Sequence, residues 1–153
     1  MASTPASAAA QEVRTGHYSL PLPDGWADRT AITLVAPLAP GGYSPNVVVT
    51  RELLCDHLGL GGFADGQGAL IRQHTSRFEI LASEEGTLGG ERALVRTTRW
   101  QVGDEEPITQ LSAYCLRGEH GVAVVCTAPS SSFAEEEPGF RALLAGFSFV
   151  GEA

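Results

Sequence analysis

The chain has 153 residues, 43% of them hydrophobic, and a formal net charge of −8, which suits one domain around one buried core. All ten positive charges are arginine and they gather into no basic tract, so binding to nucleic acid or to an anionic membrane surface is not expected. No apolar run approaches the ~18 residues that a membrane span needs, so direct membrane insertion is not expected either.

The stretch Met1 to Gln11 is rich in Ala, Ser, Thr and Pro. It lacks the basic start and apolar core of a signal peptide, and no cysteine is placed for a lipoprotein anchor. The expectations are a disordered tail over residues 1–13, a single domain over 14–153, and a cytoplasmic location. His17 to Leu22 reads as a short strand that ends at the Pro23-Asp24-Gly25 turn, after which Trp26 is placed to anchor the fold. Thr30 to Ala36 alternates, with Ile32 and Leu34 on one side and Thr33 and Val35 on the other. Pro45 to Leu53 contains the β-branched run Val47-Val48-Val49-Thr50, which is material for the inside of a sheet.

Gly62 to Arg77 places Phe63, Leu70, Ile71, His74 and Phe78 on one helical face. Phe78 to Glu85 and Glu91 to Gln101 then flank a glycine-rich hairpin turn between Gly86 and Gly90. Gly103-Asp104 turns the chain into Pro107 to Arg117, and Gly118 to Gly121 turns it again into Val122 to Ala128. A second helix has acids at Glu135 to Glu137, Pro138 in its first turn, and Phe140, Leu143, Leu144 and Phe147 on one face. Phe147 to Val150 reads as a last short strand. The expected fold is a single α+β domain, mainly a twisted antiparallel sheet of about seven strands with two main helices.

Catalytic motifs are weak. Gly59-x-Gly61-x-x-Ala64 matches a loose dinucleotide pattern, but the hairpin-linked strands that follow do not make the parallel crossover that such a site requires. His17, His57, His74 and His120 show no metal-ligand spacing; His74 reads as a core-boundary residue, His57 and His120 as solvated loop residues. Cys55, Cys115 and Cys126 are odd in number and irregular in spacing, which fits reduced thiols rather than a disulfide framework. Ser130-Ser131-Ser132 lacks the glycine frame of a nucleophile elbow. The acidic runs Asp104 to Glu106 and Glu135 to Glu137 read as solvated faces. Neither an enzyme, a metal nor a cofactor is expected. Apolar side chains populate both faces of several strands, more than two helices on one face can cover, so the second face either stays open to bind a partner or closes by curvature, by loops or by dimerisation.

Two phrases in order, Leu22-Pro23-Asp24-Gly25-Trp26-Ala27-Asp28-Arg29-Thr30 and Asn46-Val47-Val48-Val49-Thr50-Arg51-Glu52, resemble the DcrB-like family, whose fold is that of PsbP. The resemblance continues through Leu88-Gly89-Gly90, Arg99-Trp100, Ile108-Thr109-Gln110, Val125 to Pro129 and Phe140 to Phe149. Within the family the chain is most similar to the Eag chaperones of type VI secretion. That resemblance implies a homodimeric adaptor that shields the N-terminal transmembrane helices of a PAAR/Rhs effector and assists its loading on the VgrG spike. It also implies a client-binding sheet face at Ile32, Leu34, Val47, Val49, Gln110 and Ser112. A one-residue shift of phase would substitute Val48 for Val47 and Val49, and Leu111 for Gln110. The alternatives are a DcrB-like non-catalytic binding module and an effector immunity protein, each with an unknown partner.

Overall fold

The computed structural model describes residues 12–14, 17–37, 43–54 and 58–150; Cys55 and His57 lie outside them. Residues up to Thr30 and residues from Ala31 onward form two compact units. In the first, β1 (Glu12–Arg14) pairs antiparallel with β2 (Ser19–Pro21), Val13 opposite Leu20. The end of the expected tail is therefore a strand, and the expected strand from His17 to Leu22 is shorter. The Pro-Asp-Gly turn forms as expected: Gly25 takes φ +82° and Trp26 N donates to Pro23 O at 3.1 Å. Trp26 itself is 70% exposed, so it does not anchor a core.

The second unit is a six-stranded antiparallel sheet in the order β3-β4-β8-β7-β6-β5. β3 (Ala31–Val35) and β4 (Asn46–Leu53) form one antiparallel pair. The chain then crosses the whole sheet through α1 (Gly59–His74) to the far edge at β5 (Ser76–Leu88). From there a meander returns through β6 (Glu91–Gln101), β7 (Ile108–Arg117) and β8 (His120–Pro129), which docks on β4. α2 (Phe133–Ala145) follows β8. The β5–β6 turn is Gly89-Gly90, with φ +60° and +88°, the pair of left-handed positions that a tight primed hairpin turn requires.

Several boundaries differ from the expected ones, each for a local reason. α1 ends at His74, where the Thr75 hydroxyl donates to Ile71 O at 2.8 Å, and Ser76 already belongs to β5. α2 begins at Phe133, so Pro138 lies inside the helix rather than in its first turn. Phe147 to Val150 is not a strand; Phe147 and Phe149 meet edge-to-face at 5.1 Å and pack against the core instead. His74, expected at a core boundary, is exposed.

The two helices cover opposite faces of the sheet, not one. Phe133, Phe140 and Leu144 of α2 pack on Val47, Leu111, Ala113, Val122, Val124 and Cys126. Phe63 and Ala64 of α1 pack on Tyr114 and Ala123, with Leu94, Leu116 and Val125 beside them. Because side chains alternate along a strand, the register assigns every position to one of these faces. α1 holds its face by few contacts. Its glycines at 61, 62, 66 and 68 each weaken a helix by roughly 1 kcal/mol relative to alanine. What fixes it is Phe63, edge-on to Tyr114 with centroids 5.8 Å apart, together with Asp65 on Arg96 at 2.9 Å and Gln67 on Glu52 at 2.8 Å.

Candidate functional site

The register resolves the phase of the expected binding face, and neither phase holds whole. Ile32 pairs with Val49 and Leu34 with Val47; these continue into Val124 and Cys126, on the face that α2 covers. Gln110 and Ser112 pair with Thr127 and Val125 and point to the other face, the one that carries α1. The six expected residues are therefore split between two faces. Val47 is buried in the α2-side core, Val49 packs partly against it, and Ile32 and Leu34 are 58% and 55% exposed on the edge strand β3. On the α1 side, Val48 stands in the row with Ser112, and Leu111 belongs to the opposite core.

Gln110 and Ser112 are the centre of a buried polar row. Across β6, β7, β8 and β4 the register aligns Thr98, Gln110, Thr127 and Asn46. The next row aligns Arg96, Ser112, Val125 and Val48. Trp100 Nε1 donates to Gln110 Oε1 at 2.9 Å, and Gln110 Nε2 donates to Thr127 Oγ1 at 3.1 Å. Thr98 Oγ1 is buried and finds no hydrogen-bond partner among the described residues, while the buried Ser112 Oγ has only a loose partner, the Tyr114 hydroxyl two residues along β7. A buried hydroxyl without a partner costs roughly 1–3 kcal/mol, so Thr98, with the loosely held Ser112 nearby, marks the patch as special. Beside the patch, Tyr43, Trp100, Val102, Ile108 and Pro129, with Glu105 and Glu106 at the rim, line a cavity of about 520 Å³. Trp100 joins the two: its ring lines the cavity and its N–H holds Gln110.

This arrangement offers hydrogen-bond donors and acceptors inside an apolar surface, which is recognition chemistry. No group of three potential metal ligands occurs among the described residues. Burial pushes the Cys115 thiol up to about 11 and the Cys126 thiol up to about 12, so both stay protonated and poorly nucleophilic at neutral pH. Sequence reasoning found Gln110 and Ser112 but missed Thr98, Trp100 and Thr127. Their signal was faint: Thr98 and Trp100 alternate on one strand, and only the register brings them beside Gln110.

An antiparallel sheet with a long helical crossover on one face and a C-terminal helix on the other defines an α+β domain of the PsbP type. CyanoP, the PsbP of Synechocystis sp. PCC 6803, shares it at a TM-score of 0.51 and 15% identity, over 88% of each chain. A protein of unknown function from Pseudomonas aeruginosa, PA94, superposes with a TM-score of 0.75 at 14% identity, over 94% of this chain and 98% of its own. At these identities the likeness is one of fold. The chain belongs to the DcrB family, whose profile matches residues 18–146. No curated protein sequence matches it.

Proposed function

We propose that this protein is a non-catalytic adaptor chaperone that binds the N-terminal transmembrane helices of a type VI secretion effector of the PAAR/Rhs kind. It keeps those helices out of water and assists loading of the effector on the VgrG spike. In this reading it works in the cytoplasm as a homodimer, without a cofactor. Membership of the DcrB family and the Eag-like phrases support it.

The observation that carries the reading is the buried polar row around Gln110, with the unpartnered Thr98 hydroxyl and the loosely held Ser112 hydroxyl. A membrane-spanning helix carries small polar side chains and closely approachable backbone that seek hydrogen bonds in an apolar setting. An apolar sheet face with such hydroxyls beneath it offers both halves of that match once the side chains that bury Thr98 and Ser112 move aside for the client. Burial of about 400 Å² of apolar helix surface would contribute at most ~10 kcal/mol before the costs of association. The face concerned is the α1 side, with Val48, Trp100, Gln110 and Ser112; Ile32, Leu34, Val47 and Val49 belong to the opposite face.

Co-expression with the N-terminal region of a PAAR-containing protein encoded nearby, followed by affinity purification, tests the proposal. A soluble complex that disappears when the client's apolar helices are deleted is the expected result. A client that stays insoluble, or that binds equally without those helices, would sink it and leave a binding module or immunity protein as the better reading.

A further inference from the structure

At the opposite end of the sheet, on the α2 face, Arg51, Arg117, His120, Val122 and Phe149 line a cleft of about 590 Å³. The register explains the gathering. Arg117 pairs with His120 across β7 and β8, and Arg51 pairs with Val122 one row away, so both arginines flank the histidine on one face. Arg51 Nη2 lies 3.5 Å from His120 Nδ1, and the Arg117 guanidinium stacks on the Phe149 ring at 4.0 Å.

Arg14, Arg92, Arg96, Arg99 and Arg141 each meet a carboxylate. Among the described residues neither Arg51 nor Arg117 does, although Glu119 also lines the cleft. Arg72, over the Phe78 ring, and Arg77, which donates to Gln101 Oε1, meet no carboxylate either; what distinguishes Arg51 and Arg117 is that both line one cleft without an acid bound to them. In a chain of net charge −8, two guanidinium groups against the single carboxylate of Glu119 leave this concave site net positive. Stacking on Phe149 holds the Arg117 fork in a fixed orientation, and a planar fork suits a carboxylate or phosphate bidentately. Phe149 and Val122 supply an apolar wall beside the charge.

We infer that this cleft is a binding site for an organic oxyanion, a carboxylate or phosphate carried on an apolar body, with the anion between Arg51 and Arg117 and the apolar part against Phe149. The site is separate from the polar row around Gln110, and its test does not depend on any client.

Calorimetric titration of the full chain with 3-phenylpropionate and with phenyl phosphate, and with the uncharged 3-phenylpropionamide as control, decides it. Binding of one or both anions is expected, with the stronger ligand identifying the oxyanion, and none by the amide. R51Q/R117Q should weaken binding by roughly tenfold or more, while R99Q, which alters an arginine outside the cleft, leaves it unchanged. If the double variant melts early, R51Q alone, which preserves the Arg117–Phe149 stack, carries the comparison. Failure of both anions to bind at about 10 mM, equal binding of the amide, or undiminished binding by the arginine variants would overturn the inference.

Discussion

Gln110 and Ser112 are two residues apart on one strand and make different predictions. Gln110 satisfies both Trp100 Nε1 and Thr127 Oγ1, so Gln110→Leu strands the buried Thr127 hydroxyl and the half-buried Trp100 N–H and should cost about 1–3 kcal/mol of stability in urea melts. Ser112 Oγ has only the loosely placed Tyr114 hydroxyl as a partner, so Ser112→Ala gives up little and should leave the midpoint nearly unchanged. If Ser112 serves the client, the same variant weakens client capture while the fold is as stable as before. A lower midpoint for Ser112→Ala would show that the hydroxyl is satisfied in the free protein. The two buried cysteines add a prediction of pH dependence. Burial pushes their folded thiols up to about 11 and about 12 from the ordinary 9.0. Above pH 9 the unfolded chain therefore gives up protons that the folded chain keeps, so stability is full below pH 9 and falls as pH rises towards 12. Urea midpoints at pH 7.5 and pH 10 should show the loss, and in a Cys55→Ser background thiol reagents should label Cys115 and Cys126 only on unfolding.

The weakly held element is α1. α2 buries Phe133, Phe140 and Leu144, whereas α1 buries only Phe63 and Ala64 and carries several glycines. The Phe63 ring fits because Gly121 has no side chain: a Cβ there would lie 2.6 Å from the ring. Gly121→Ala must push Phe63 off Tyr114, with an expected loss of about 1–3 kcal/mol and amide exchange raised in α1 far more than in α2. Equal protection of the two helices in the variant would mean that α1 is held by something other than Phe63. The existence of α1 was legible from its apolar spacing, but its depth of burial was not. Leu70 stands on the apolar stripe with Phe63 and is nevertheless 53% exposed. Helical periodicity reports which side chains share a stripe, and says nothing of how far along the helix the sheet extends. The hairpins were legible for a stronger reason: Gly89-Gly90 and Gly118 supply positive φ at the positions where tight turns require it.

At the scale of the whole molecule, what the sequence concealed was the relation between strands. Each strand's alternation was clear, but which residue of β4 shares a face with which residue of β7 depends on pairing through β8, and sequence periodicity carries no such link. The same gap hid the arginine cleft, since Arg51 and Arg117 stand 66 positions apart by their numbers and meet only through the register around His120. The split of the expected binding residues between two faces now makes the faces separable by experiment. β3 is an edge strand without a charged residue, with Ile32 and Leu34 exposed on the α2 side and Val35 exposed on the other. The opposite edge, β5, carries Glu79, Glu84 and Glu85, the kind of charge that discourages strand-to-strand association. The proposed homodimer therefore has its natural place along β3, and the proposed client its place around Gln110. Leu34→Glu should convert a dimer into a monomer in light scattering while a tagged client is still captured. Val48→Glu, which puts a charge beside Ser112, should abolish capture and leave the dimer intact. If Leu34→Glu instead abolished capture with the mass unchanged, the client would lie on the α2 side, and the polar row around Gln110 would be a feature of the core alone.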